Sequence, residues 1–489
     1  MTAALTHRHP GGTLAVASIA AFMTSIDMMV VTTAIPALRR SLGGDVGSLE
    51  WTISAYLLAF ACLLLTASGL GDRFGRRRIF AIGLAGFALS SVAAALASSI
   101  GALVVARAAQ GASAALILPL TLTMISEAFA PESRGRAIGI WGGVTGLGGV
   151  LGPILGGGMV QAFGWSSIFW INVPIAVVLI PAGLRFVTET YGARKPLDVL
   201  GLGLASLGFL AISWGLVQAT THALGSAAVL VPVVVGLVLV GSFLSWERKT
   251  PYPMLPLPIF RNVRFNVANS VSFSMYGSLC GAVFLTSQYF QIAQHQSPVA
   301  AALRFIPWPL PTIIVAPLIG SLASKYGNQR FMAAGMVTQA VALAWLATVA
   351  HANTPYLQLC PPFVLSGIAI GVVFPSFSGE VVGSVRHDQM GIASGTNATI
   401  RELGGVFGVA LVGLVFASPT AYTTTIGFVT GFDHAIWACV AFTALGAGAA
   451  IVGLGMAPDR PLTGKSVSDE AAGPSRLPGV LGRIEGMDA

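Results

Sequence analysis

"SGLGDRFGRRRIF", residues 68–80, places five charged side chains in the seven positions from Asp72 to Arg78, in a chain of which only 9% is charged. Long apolar stretches flank it on both sides. A second stretch, "GSLASKYGNQR", residues 320–330, follows another apolar run and repeats the pattern. With Asp72 set against Ser324, Leu70 pairs with Leu322, Arg73 with Lys325 and Gly75 with Gly327. Further along, a single offset of 256 residues pairs Gly111 with Gly367 and Pro119 with Pro375. It also pairs Gly135, Ala137 and Gly139 with Gly391, Ala393 and Gly395, and Gly148, Gly149 and Gly152 with Gly404, Gly405 and Gly408. Glycine is abundant here, so one coincidence means little. A register held through three successive apolar runs marks an internal duplication.

The runs themselves set the solvent. The chain is 55% hydrophobic with a mean hydropathy of +0.80, and its apolar stretches of about 20 residues each suffice to cross roughly 30 Å of hydrocarbon as a helix. Continuous apolarity, without the short alternation of a barrel strand, predicts a polytopic α-helical membrane protein. Fourteen spans are expected, beginning near Thr13, Leu49, Ile79, Ala102, Ala137, Ile168, Val199, Ala227, Val267, Val299, Phe331, Tyr356, Ala393 and Ala435. The first, Thr13 to Leu38, is too long for a cleaved signal and reads as a retained helix.

The net charge of +8 does not indicate nucleic-acid binding, because the basic residues crowd into alternate short loops. Those loops hold Arg73, Arg76, Arg77, Arg78, Arg134, Arg136, Arg185, Arg194, Lys195, Arg248, Lys249, Arg261, Arg264, Lys325, Arg330 and Arg386, while the opposite side has Arg39 and Arg40 and little else. The positive-inside rule puts both termini in the cytoplasm. The organisation expected is a short tail (1–12), a six-helix half (13–190), two inserted helices (191–250), a second six-helix half (251–457) and a disordered cytoplasmic tail (458–489). Parallel repeats with a site between them are a transporter architecture. Cys62, Cys280, Cys360 and Cys439 fall singly in apolar segments and read as packing residues, without metal spacing.

With these motifs in place, the chain resembles the major facilitator superfamily over nearly its whole length, in the branch of fourteen-helix drug:proton antiporters. The loop pattern G-x-L-A-D-r-x-G-r-K is matched by Leu70, Asp72, Arg73, Gly75, Arg76 and Arg77, with Ser68 and Gly71 departing from it. The antiporter pattern G-x-x-x-G-P-x-x-G-G is matched in full by Gly148, Gly152, Pro153, Gly156 and Gly157. Arg107, Gln110 and Gly111 fit the fourth-span pattern R-x-x-q-G. Asp27, Ala34, Ile35 and Pro36 fit the first-span pattern, where Thr32 replaces the usual Asn. The resemblance implies that the loop around Asp72 latches the halves and that the glycine segment seals the path against leak. In the second half Ser324 replaces the aspartate, so the latch is expected to be one-sided.

Ionisable residues inside spans are functional candidates, since a mid-span Asp costs about 2.5–3.5 kcal/mol on insertion scales. Asp27 lies near the middle of its span, and a carboxyl there can exchange a proton against a drug. Arg107 is a candidate for tuning that exchange, and Glu402 is a second candidate proton site. Arg401 and Glu402 are neighbours pointing about 100° apart on a helix, so no direct contact between them is expected. Thr32, Gln110 and Arg401 are candidate cavity residues. Glu127 and Glu380 lie near span ends and read as interfacial, while Arg304 is expected to snorkel.

The expected function is a proton-driven antiporter exporting amphipathic organic compounds such as drugs or antibiotics across a bacterial inner membrane. It needs no cofactor or metal, and acts as a monomer with the bilayer, protons and its substrate as partners. A dedicated exporter of one endogenous metabolite is the nearest alternative, since fold does not choose cargo. The chain has no nucleophile elbow and no phosphate loop of the G-x-x-x-x-G-K-[ST] type, which speaks against an enzyme and excludes a self-contained ATP-driven pump.

Overall fold

The computed structural model describes residues 9–455, except 45, 193–197, 220–221, 224, 252, 256, 387–388 and 417–423. Arg194, Lys195 and the expected tail lie outside the described residues, and those described contain no strand. They form sixteen α-helices: α1 (Pro10–Leu42), α2 (Val46–Phe74), α3 (Arg76–Ala95), α4 (Ile100–Ala128), α5 (Pro131–Phe163), α6 (Ser167–Trp170), α7 (Asn172–Phe186), α8 (Val199–Gln218), α9 (Ala227–Glu247), α10 (Val263–Ile292), α11 (Pro298–Leu303), α12 (Leu310–Tyr326), α13 (Asn328–Val349), α14 (Tyr356–Gly383), α15 (Met390–Phe416) and α16 (Thr425–Leu454). Among the described residues, twelve segments are long and apolar enough to cross a bilayer, one of them formed by α6 and α7 together. The protein is a multi-pass membrane protein.

The helices start where the chain can satisfy free amide groups. Ser99 Oγ accepts from Ala102 N at 3.2 Å, Asp198 Oδ1 from Gly201 N at 2.8 Å, and Thr424 Oγ1 from Gly427 N at 3.0 Å. Pro10, Pro131 and Pro298 occupy first turns, where the missing N–H costs nothing. Most helices begin within a few residues of the expected positions. The last is the exception: α16 starts at Thr425, ten residues before Ala435, because Asp433 and His434, read as a polar break, lie inside the helix.

Packing repeats as the sequence does. α1 packs on α5, α2 and α3 on α4, and α3 and α1 on α7; in the second half α10 packs on α15, α12 and α13 on α14, and α13 and α10 on α16. The two turns that opened the sequence comparison share one backbone shape, with Gly75 at φ +104° and Gly327 at φ +96°, a region that a side chain rarely enters. Small residues let backbones meet at matching places. A Cβ on Gly148 would press on the Phe22 carbonyl and one on Gly152 on that of Ile26; a Cβ on Gly404 would strike the Phe273 carbonyl and one on Gly408 that of Gly277. α8 and α9 form a hairpin through Gly208, Gly215 and Gly236. α8 lies on α2 and α15, with Trp51 and Trp214 5.7 Å apart, and α9 shows exposed Leu230, Val234 and Val238 to the outside.

Two seams between the halves lie at the end remote from the arginine-rich turns. There α2 meets α15, and Gly157 of α5 meets Pro298 and Ala302 of α11. Gln291 Nε2 also donates to the Thr33 carbonyl at 3.1 Å. Towards the arginine end α5 stands clear: Cβ atoms built on Gly139, Gly142, Gly143 and Gly146 would meet nothing within 4 Å. Among the described residues, the seams between α2 and α15 and between α5 and α11 lie at the end remote from the arginine-rich turns, called here the closed end.

Candidate functional site

Asp27, Arg107 and Gln110 are fully buried and directly bonded to one another, inside the first half. Arg107 Nη1 donates to Asp27 Oδ2 at 2.6 Å and to Gln110 Oε1 at 2.8 Å, and its Nε donates to the Thr52 carbonyl at 3.0 Å. Gln110 Nε2 donates to Asp27 Oδ1 at 2.9 Å and to Ser91 Oγ at 2.7 Å, and Asn172 Nδ2 donates to Asp27 Oδ1 at 2.7 Å. Five helices, α1, α2, α3, α4 and α7, converge here. The guanidinium lies over the Tyr56 ring, 4.4 Å from its centre. In so dry a setting a charge is tolerated only when paired and hydrogen-bonded.

The expectation that Gln110 lines a cavity is not met: it is an interior member of this network. Thr32 is 5% exposed and its Oγ1 donates back to the Met29 carbonyl at 2.6 Å, which closes its hydroxyl on its own helix. Sequence reasoning missed Ser91, Asn172 and Tyr56. Asn172 left a trace, as a lone amide in the apolar run "IFWINVPIAVV", residues 168–178.

The same place in the second half carries no charge. The carbonyl contacts that seat Gly148 and Gly152 on α1 and Gly404 and Gly408 on α10 set Asp27 against Ser278, whose Oγ is back-bonded to the Met275 carbonyl at 2.9 Å. The Tyr56 carbonyl abuts Gly111 as that of Trp308 abuts Gly367, and the offset linking Gly111 to Gly367 sets Arg107 against Phe363. Phe363 stacks on Trp308 at 5.2 Å. An aromatic pair thus fills the second half where a cation over a ring fills the first.

Charge in the second half sits one step away. Arg401 Nη2 donates to Glu402 Oε1 at 2.7 Å, contrary to the expectation from their helical spacing. The arginine side chain is long enough to fold back across its own helix, and Glu402, 2% exposed, gives it an anion there. The guanidinium is also 5.3 Å from the centre of the Tyr276 ring and 5.6 Å from that of Phe374. The Tyr276 hydroxyl points across to Met28 Sδ at 3.5 Å, linking α10 to α1 beside Asp27. Of the candidate cavity residues, Arg401 alone is partly exposed, at 22% of its side chain.

At the arginine end, Arg76 bonds Asp72 Oδ1 through Nε at 2.9 Å and Nη2 at 2.7 Å, and its Nη1 pairs with Glu127 of α4. Arg77 N donates to Glu189 Oε1 at 2.9 Å, and Glu189 Oε2 lies 3.7 Å from Nε of both Arg77 and Arg78. Arg73 lies over the Phe74 ring at 5.3 Å. The cluster stays within the first half. In the second half Glu380 meets Gln329 at 3.4 Å and Arg264 at 3.9 Å. Glu127 and Glu380 are therefore bonded members of these clusters. Arg304, expected to snorkel, donates to Gln294 Oε1 at 3.0 Å and lies over Tyr356.

The glycine segment of α5 has two faces. Gly148, Gly152 and Gly156 seat on α1 around Asp27, where a Cβ on Gly156 would come within 2.6 Å of Thr33 Oγ1; Gly157 faces α11 across the closed end. Pro153 lies among them inside the helix.

Residues 17–409 match the family model of the Major Facilitator Superfamily. The chain is 32% identical over 411 residues to the tetracenomycin C resistance and export protein of Streptomyces glaucescens, covering 84% of this chain and 76% of that one. It is 32% identical over 407 residues to the multidrug efflux pump LfrA of Mycolicibacterium smegmatis, covering 83% and 80%. Among solved structures, a D-xylose–proton symporter superposes with a TM-score of 0.64 at 14% identity, over 91% of this chain and 98% of that one. At that identity the likeness concerns the fold.

Proposed function

The chain belongs to the major facilitator superfamily, and on that premise we propose that it is a proton-coupled antiporter exporting amphipathic drugs or antibiotics by alternating access. It is driven by the proton gradient and acts as a monomer in a bacterial inner membrane. Both termini and the arginine-rich turns are cytoplasmic, and α10 and the α11–α12 pair complete fourteen spans. The arrangement described is then the state open to the cytoplasm.

One observation carries the reading. The second half packs the place equivalent to Asp27 and Arg107 with Ser278, Phe363 and Trp308, so packing alone does not call for a buried ion pair there. The pair is kept in one half only, and exchange of a proton is a function that a carboxylate has and a stacked ring lacks. Protonation of Asp27 would cancel its charge and leave Arg107 held by the Thr52 carbonyl, Gln110 and the Tyr56 face. That change in the balance of charge beside α5 supports a link to rocking of the halves. Arg401 and Glu402, on α15 across from Tyr276, supply the polar part of the substrate path. Arg76 with Asp72 and Glu127 braces the cytoplasmic end of the first half.

A dedicated exporter of one compound is the second reading, favoured by a relative named for tetracenomycin C alone. Both are tested in liposomes holding a pH-sensitive dye under an imposed proton gradient, to which a lipophilic cation and neutral drugs are added separately. Substrate-driven proton flux is expected in the wild type and none in folded Asp27→Asn. Flux with a single compound points to the dedicated exporter, and flux that survives Asp27→Asn removes Asp27 as the carrier.

A further inference from the structure

The α8–α9 hairpin takes no part in the clusters above, and α9 is the most apolar of the described spans. Its first turns expose Leu230, Val231, Val234, Val235, Leu237 and Val238, a face suited to lipid acyl chains. That face changes towards the arginine end. Val238, Gly241, Ser242 and Ser245 share one side of α9, and Lys249 follows just past its end. With Leu204 of α8 and with Trp246 they line an open groove of about 550 Å³, within the range of small-molecule sites. A Cβ built on Gly241 would meet nothing within 4 Å, so bare backbone lies open there. Ser242 and Ser245 donate back to the Val238 and Gly241 carbonyls at 2.8 and 2.9 Å, which leaves oxygen lone pairs to accept from a ligand. Trp246 Nε1 donates to Asp198 Oδ1 at 2.8 Å, and the same oxygen accepts from Gly201 N at 2.8 Å. The ring is thereby fixed as a wall, and that carboxylate is occupied. Lys249 is exposed, and no carboxylate pairs with its ammonium among the described residues.

We propose that this groove binds one anionic phospholipid, its phosphate at Lys249 and an acyl chain laid along Gly241, Val238 and Leu204. The groove has the two parts such a molecule needs, in the right order along α9: an aliphatic floor deep in the span and a cation at the membrane surface. The serine oxygens, within two turns of Lys249, can accept from a headgroup hydroxyl. A membrane anchor would need only the tryptophan and the cation. It has no use for an open strip of backbone and hydroxyls, because Leu or Val there would match bulk acyl chains as residues 230–238 do. Arg248, exposed beside Lys249, adds a second positive charge and no negative one, so a zwitterionic lipid, which brings its own cation, is disfavoured. On the orientation proposed above, the lipid belongs to the cytoplasmic leaflet.

Binding is measured without drug or proton gradient, so its outcome is independent of the export reading. Delipidated full-length protein in neutral detergent is titrated with phosphatidylglycerol, or with phosphatidylcholine of the same chains, and the first lipid bound is followed by native mass spectrometry. Phosphatidylglycerol is expected to bind about fivefold tighter or more. Lys249→Gln should bring it down to the level of phosphatidylcholine, whereas Arg330→Gln, which removes an equal charge at the arginine end of α13, should leave it unchanged. Gly241→Leu fills the groove where the backbone is open and should weaken both lipids; Ser245→Leu, on the same exposed face, repeats that test should Gly241→Leu not fold. Equal affinity for the two lipids in the wild type overturns the proposal, as do equal losses in Lys249→Gln and Arg330→Gln, or groove-filling variants that bind as the wild type does. Displacement of the lipid by soluble glycerol phosphate would make this a site for a free anion and overturns it too.

Discussion

Copying the second half into the first tests what the buried pair is for. Asp27→Asn leaves the Arg107 guanidinium at 0% exposure with no anion. It also swaps one of two carboxylate oxygens for an amide that faces the donors of Arg107, Gln110 or Asn172. Removing one partner of a buried pair costs about 3–5 kcal/mol; the remaining amide oxygen and the Tyr56 face put this case at about 3 kcal/mol. The double variant Asp27→Ser with Arg107→Phe reproduces Ser278 and Phe363 and buries no charge. Its loss is limited to hydrogen bonds: Gln110 keeps Ser91 at 2.7 Å and Asn172 retains Ser91 at 3.4 Å, which sets its cost at about 1–2 kcal/mol. The double variant should thus be more stable than the single one, although it departs further from the native sequence. Reversible unfolding by dodecyl sulfate in mixed micelles, followed by tryptophan fluorescence, ranks the three proteins. Neither variant should carry substrate-driven protons in liposomes. A single variant as stable as wild type, or a double variant less stable than the single one, refutes the argument that the second half is a charge-free template for the first.

Two further predictions concern glycines. A Cβ on Gly156 comes within 2.6 Å of Thr33 Oγ1 and Val30 Cγ2 and 2.9 Å of the Val30 carbonyl, whereas one on Gly149 meets nothing within 4 Å. Gly156→Ala should cost about 1–3 kcal/mol by overpacking and lower drug efflux from cells, while Gly149→Ala should leave both unchanged. At the paired turns, Gly75→Ala and Gly327→Ala both force a side chain into positive φ, but only at Gly75 does the new methyl also press on the Glu189 carboxylate. Both should cost about 1 kcal/mol or more in backbone strain. Gly75→Ala should be the worse in the same unfolding assay and alone disturb the Arg77 contact to Glu189. Equal losses would show that the Glu189 contact contributes nothing.

Much of the architecture was legible because apolar length and glycine spacing are one-dimensional signals. The bilayer demands the first, and close helix contact demands the second at fixed intervals, so Gly148 and Gly404 align in sequence as they do in space. What decided the site was not one-dimensional. Asp433 and His434 read as a loop because polarity within a helix and polarity between helices look alike along the chain. Arg401 and Glu402 read as separate because helical angle fixes where a side chain leaves the backbone and not where a long one ends. The duplication shows the same limit. Different loop lengths shift the register from one segment to the next, so the 256-residue offset that sets Arg107 against Phe363 does not extend to α1. It takes the glycine–carbonyl contacts to set Asp27 against Ser278. Once they are aligned, the informative positions are those where the repeat breaks while its backbone geometry holds: Asp27 opposite Ser278, and Arg107 over the Tyr56 ring opposite Phe363 stacked on Trp308. Packing explains the second half and leaves the charge in the first to be explained by what it does.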